Sequence, residues 1–147
     1  MRYLPVVLVV LLICGMVFPV MATDAGRYRY LTIDTVQITL ENEDAEIEVN
    51  YEIDERVQFL VLLLGKSDLK EKLISVLNFD DAQFREVDMT HAKVMVRKAA
   101  VNYGEGSYWF PEQTFGTVIP EIIVKSPQTE RRVEMSNVFP NGIGYFE

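Results

Sequence analysis

AEIEVNYEIDERVQFLVLLLGKSDLKEKLISVL, residues 45–77, is the stretch whose reading decides the fold. Ile47, Val49, Tyr51 and Ile53, and beyond Glu55 also Val57, Phe59, Val61 and Leu63, occupy every second position, the period of a strand. Glu46, Glu48, Asn50, Glu52, Asp54, Arg56 and Gln58 alternate with them, so one face is expected to pack while an acidic face meets water. From Leu60 onward Leu62 and Leu64 join the apolar set, and this end of the strand is expected to be covered on both faces. The leucines over Arg56–Leu64 favour helix by propensity, but the unbroken alternation from Val57 to Leu63 makes strand the expectation there. Gly65 then breaks the run. Leu69, Leu73, Val76 and Leu77 follow at the i, i+4, i+7, i+8 spacing of an amphipathic helix that can supply the cover. Asp68 and Glu71 fit a capping-box variant, and Asn78 can end the helix.

Working outward, Tyr28–Leu40 reads as a first strand. Leu31 and Ile33 alternate out of phase with Val36, Ile38 and Leu40, so a bulge near Asp34–Thr35 is needed to place all five on one face. Glu41-Asn42-Glu43-Asp44 forms a polar turn, and an antiparallel hairpin with the central strand is the simplest pairing. Downstream, strands are expected over Ala82–Met89, with its turn at Thr90, and over Ala92–Tyr103. Val118–Val124 follows, with Pro120 marking an edge or bulge, and then Glu130–Val138. Asn141-Gly142 is the sharpest hairpin signal in the chain. No internal repeat or low-complexity tract is present. The sum is an α+β domain: a mainly antiparallel sheet of about six strands with one amphipathic helix packed on it.

The 147 residues suffice for one domain with an ordinary core. Residues 1–22 stand apart: Arg2 is followed by the apolar run Tyr3–Val20 and by Val20-Met21-Ala22, whose small last residue suits signal peptidase. The segment therefore reads as a signal peptide or an N-terminal membrane anchor, residues 23–27 as a linker, and 28–147 as a single extracytoplasmic domain, secreted or held at the cell membrane. Cys14 follows the bulky Leu12-Ile13 pair rather than a small residue, so it reads as one more apolar side chain and not as a lipidation site. Beyond residue 22 there are 13 basic and 22 acidic side chains, a net charge of 13 − 22 = −9. This excludes nucleic acid as a natural partner and argues against a basic lipid-binding patch. With no cysteine after Cys14, the domain holds together by its core rather than by disulfides.

Sequence signals for chemistry are sparse. Gly65-Lys66-Ser67 resembles the end of a phosphate-binding loop, yet Leu60 stands where that loop needs its first glycine. His91 is the only histidine, which removes most zinc sites and histidine-dependent triads. Two acidic clusters, Glu41, Glu43, Asp44, Glu46 and Asp80, Asp81, Glu86, Asp88, lack a calcium-loop spacing, although a carboxylate pair is the minimum equipment of a hydrolase. Tyr103, Tyr108, Trp109 and Phe110 flank Gly104 and Gly106 and form the candidate binding surface, for sugar stacking, membrane-interface contact or a protein partner, unless the rings close the end of the sheet. The expectation is a non-enzymatic cell-envelope domain, without cofactor or metal, that binds another protein or a surface polymer. A carboxylate-dependent envelope hydrolase and a carbohydrate-binding module are the alternatives.

Overall fold

The computed structural model describes residues 30–147, so the export segment expected over 1–22 and the linker over 23–27 lie outside the described residues. In chain order the elements are β1 (Leu31–Glu41), β2 (Asp44–Ile53), α1 (Glu55–Leu64), α2 (Ser67–Leu77), β3 (Ala82–Val87), β4 (His91–Val96), β5 (Val101–Gly104), β6 (Ser107–Phe110), β7 (Gln113–Lys125), β8 (Glu130–Phe139) and β9 (Ile143–Phe146). The class is α+β and sheet-rich. A six-stranded sheet has the order β3-β4-β2-β1-β7-β8, antiparallel throughout except where β1 runs parallel to β7. A second sheet, β5-β6-β9, has three antiparallel strands.

The β1–β2 hairpin forms as its pattern requires. The register passes from Ile33↔Tyr51 to Thr35↔Asn50, leaving Asp34 as the extra residue of a bulge. That one insertion puts Leu31, Ile33, Val36, Ile38 and Leu40 all into the core. On β2, Ala45, Ile47, Val49, Tyr51 and Ile53 are buried, and Ala92, Val94 and Val96 of β4 continue the same inner face. The helix α2 lays Leu69, Leu73, Val76 and Leu77 into this core. It ends at Asn78, which adopts the left-handed conformation (φ 56°, ψ 41°) and donates its backbone N–H to Ile74. The outer face remains polar, with Lys93 bridging to Glu48 at 2.9 Å and Arg132 to Glu121 at 3.0 Å.

The small sheet closes the hairpin end of the core. The Tyr145 hydroxyl donates to the Asn42 carbonyl, the Tyr108 hydroxyl to Asn42 Oδ1 at 3.3 Å, and Ala100 N–H to the Glu43 carbonyl at 2.9 Å. Phe110 packs between Phe79 and Phe139, with ring centroids 6.4 and 6.1 Å away.

Several expectations are corrected. Arg56–Leu64 is helix, not strand: β2 loses its neighbours at Ile53, because pairing with β1 ends at Leu31↔Ile53 and pairing with β4 at Asn50↔His91. An extended chain beyond that point would have unpaired backbone groups, whereas a helix satisfies its own. The chain consequently has two helices rather than one, and its strands divide between two sheets, with Ala92–Tyr103 split into β4 and β5 around Lys98 (φ 52°). Asp68 does not cap α2, whose N-cap, Lys66, makes no side-chain capping bond; the Asp68 carboxylate instead receives Lys72 Nζ at 2.8 Å and the Tyr30 hydroxyl. Asn141-Gly142 has the two positive φ angles of a tight hairpin turn (62° and 52°), but β8 and β9 do not pair with each other, since β9 crosses to β6. Arg131 fixes this crossing by donating to the Pro140 and Gly142 carbonyls.

Tyr51 ties the sheet to the β3–β4 turn: its one hydroxyl proton is shared between the carbonyls of Asp88 (2.5 Å) and His91 (3.0 Å). Burial, reinforced by the Asp88 charge, pushes the phenol from 10.0 up to about 12. An unfolded chain ionises this group at the lower value, so the stability present below that pH is lost as pH rises towards 12. Urea-denaturation midpoints are therefore expected to fall over this alkaline window. Tyr51→Phe should weaken the fall while costing about 1 kcal/mol at neutral pH; an unchanged alkaline profile would contradict the assignment.

Candidate functional site

The feature with no structural explanation inside the fold is α1. Asp54 starts it, with its Oδ1 accepting the Arg56 backbone N–H at 3.0 Å and its own N–H donated to the Tyr30 carbonyl at 2.9 Å. The backbone and side-chain hydrogen bonds from Arg56 hold the Asp54 carboxyl below the usual carboxylate value. Gln58 secures the first turn by donating Nε2 to the Ile53 carbonyl at 3.0 Å. Gly65, at φ 89°, ends the helix in a backbone region that other residues rarely enter.

Of the apolar side chains on α1, Val61 is buried and Val57 is half-buried against the core. The rest face solvent: Phe59 is 67% exposed, Leu60 47%, Leu62 67%, Leu63 66% and Leu64 78%. At about 100° per residue these five span an arc of roughly 200°, twice the stripe that an ordinary surface helix buries. Charges occur only at its start, on Glu55 and Arg56. Single exposed leucines are ordinary, but a contiguous patch on the order of 500 Å² is at the upper end for a monomer and marks an interaction surface. At about 25 cal/mol per Å², leaving it in water forgoes roughly 10 kcal/mol of transfer free energy.

Two depressions flank Tyr30 beside this helix. One, of about 220 Å³, lies between Tyr30, Asp68 and the α1 residues Val57, Leu60, Val61 and Leu64, with Gly65 at its end. The other, about 500 Å³ and open, is lined by Thr32, Glu52, Ile53, Asp54, Glu55 and Arg56. Burial and the Asp68 carboxylate push the Tyr30 phenol well above its ordinary value, and the Lys72 ammonium sits 4.6 Å from the Tyr30 ring centroid. Asp68 is held below the usual carboxylate range by Lys72 first and by Tyr30 second.

The aromatic residues singled out from the sequence are placed as follows. Phe110 is fully buried. Tyr108 is half-buried and stacks on Tyr145 with centroids 5.4 Å apart. Trp109 is 40% exposed and lies across Gly142 and Gly144, where a Cβ on Gly142 would come within 2.8 Å of the indole. Tyr103 is well exposed near the β5–β6 turn. Tyr108 and Phe110 thus serve the packing of the small sheet, while Trp109 and Tyr103 keep surface in solvent.

Four of the eight acidic residues singled out from the sequence are engaged in turns or side-chain contacts. Glu43 accepts from Asn102 Nδ2 at 2.7 Å, Asp44 from the Lys98 backbone N–H at 3.0 Å and Asp88 from the Met89 N–H at 2.7 Å. Glu86 lies 3.3 Å from His91 Nε2. Lys66, of the sequence that resembled a phosphate loop, donates Nζ to the Val87 carbonyl at 2.6 Å. Among the described residues no group of three or more His, Cys, Asp or Glu side chains is arranged to hold a metal ion.

Compared with known proteins, the chain matches no family model, and no curated protein or solved structure is significantly similar to it.

Sequence reasoning missed the α1 face because it assigned those leucines to a covered strand. Two signals pointed to it: the four leucines themselves and Asp54, a favoured N-cap residue, standing just before them. If α1 is a surface and α2 is core, Leu73→Ala should cost about 2–5 kcal/mol in urea denaturation, and Leu63→Ala should stay within about 0.5 kcal/mol. Equal losses would place α1 in the core. Gly142→Ala, crowding Trp109 and the Phe110 carbonyl at a positive φ, should cost on the order of 1–3 kcal/mol and shift Trp109 emission to longer wavelength as the ring lifts into water.

Proposed function

We propose that the chain is an exported, non-enzymatic domain of the cell envelope that works by docking another envelope component on the exposed apolar face of α1. The observation that carries this reading is the contiguous surface of Phe59, Leu60, Leu62, Leu63 and Leu64 on a helix that buries only Val61. A surface of this kind is retained where something covers it. Export rests on the apolar run Tyr3–Val20 and the small residue at Ala22, and it agrees with a domain that has no cysteine after Cys14. The engagement of Glu43, Asp44 and Asp88 in turns and of Glu86 with His91 favours binding over hydrolysis. The acidic outer sheet, with Glu46 and Glu52 exposed, keeps the rest of the domain soluble.

A photo-crosslinking amino acid placed at position 63 in living cells should give adducts well above those from position 39, which lies on the exposed sheet face. The domain should also be digested by protease added outside the cytoplasmic membrane. No excess of adducts at 63, or full protection from that protease, would overturn the proposal.

A further inference from the structure

We infer that the occupant of the α1 face is the lipid bilayer itself, so that the tip Phe59–Leu64 sits in the headgroup–acyl boundary of the membrane next to which the domain is held. The inference rests on the export and docking reading above and names the partner of that same surface. Three observations favour lipid over a protein or a second copy of the chain.

The first is the width of the face. An ordinary surface helix carries an apolar stripe of about 100°, whereas the exposed arc spans about twice that; a fluid medium surrounds such a tip, while one helix or strand packed flat against it leaves part of it wet. The second is its chemistry. Five aliphatic or aromatic side chains occupy the last turn and a half with no polar side chain among the exposed ones, and Arg56, almost wholly exposed, stands at the opposite end of the helix where headgroups would meet it. At 10 residues α1 is about 15 Å long, enough to lie in the interface but not to cross, and no described helix is long and apolar enough to span.

The third is where the chain enters. Tyr30 forms one wall of the depression under α1, and its carbonyl receives the N–H of the helix cap Asp54. Ten residue steps separate Tyr30 from Val20, the end of the apolar run, so at most roughly 35 Å can lie between them. The run Tyr3–Val20 is 18 residues, close to the length that matches a hydrocarbon core. A chain anchored by that run has its α1 corner, rather than the distant β5–β6 turn, tethered near the bilayer. The domain's net negative charge means that anionic lipid cannot supply the attraction, so the attachment is one of apolar area.

The test uses the full chain with Cys14→Ser and a polarity-sensitive fluorophore on Leu63→Cys, reconstituted into phosphatidylcholine vesicles, with Thr39→Cys as the control. The probe at 63 should emit at shorter wavelength, be quenched several-fold less by aqueous iodide and be quenched by spin-labelled lipid. High salt should not release the probe, and partial replacement by phosphatidylglycerol should not strengthen the shielding. Leu60→Ser with Leu64→Ser should return the probe to the exposure of the control without shifting the urea midpoint by more than the effect of an ordinary surface change. Shielding from iodide without quenching by spin-labelled lipid means a protein occupant, either another copy or the chain's own N-terminal run; it overturns the lipid assignment and leaves the docking reading standing. Equal iodide access at 63 and 39 overturns both.

Discussion

The structure depends on the one-sided burial of β2. Ala45, Ile47, Val49, Tyr51 and Ile53 all point into the core while Glu46, Glu48, Asn50 and Glu52 point out. The two sets cannot exchange, because a one-residue slip would bury the acids and expose the apolar face. Each fully buried aliphatic side chain contributes on the order of 1.5–3 kcal/mol relative to exposure, so both neighbours are held in register: β1 through a bulge at Asp34 and β4 through strict alternation. The remaining elements keep water off this face. The helix α2 covers part of it, and Phe110, Phe139 and Tyr145 complete the cover at the hairpin end.

The same constraint explains why α1 exists. β2 stops where its neighbours stop, and the backbone beyond Ile53 must find hydrogen bonds elsewhere. Asp54 resolves this by capping a helix at the point where the ladder runs out. The outcome is a helix whose apolar residues exceed what the core can accept. Val61 and Val57 face inward, and five large side chains are left outside. Among the described residues, none covers the outer surface of these five, and for that reason the functional reading centres on them rather than on the acids or the aromatic turn.

The polar groups support the architecture in recognisable ways. Asn42, at the tip of the β1–β2 hairpin, receives the hydroxyls of Tyr145 and Tyr108, so one turn residue fastens the small sheet to the large one. Tyr30 and Asp68 join the chain entry to α2. Both clusters also show why polar residues at turns need not be sites: their donors and acceptors are used within the fold.

Much of this was legible in residue patterns. Period two over Ile47–Ile53, the phase change at Asp34–Thr35, the stripe Leu69, Leu73, Val76, Leu77 and the stop at Asn78 are local, and each appears in the structure as read. The strand reading of Arg56–Leu64 failed because Val57, Phe59, Val61 and Leu63 satisfy period two by coincidence in a segment that is apolar at nearly every position. Only the position of a missing neighbour strand decides that case. The parallel joining of β1 to β7 and the crossing of β9 to β6 were equally beyond local pattern, since strand partners distant in sequence are chosen by core shape and backbone pairing. The sequence by itself determined the α+β class, the inner face of the sheet and the covering helix, because alternation and helical stripe are properties of neighbouring residues. The tertiary structure alone decided that the leucines of α1 lie in solvent, because exposure depends on what the remainder of the chain leaves uncovered.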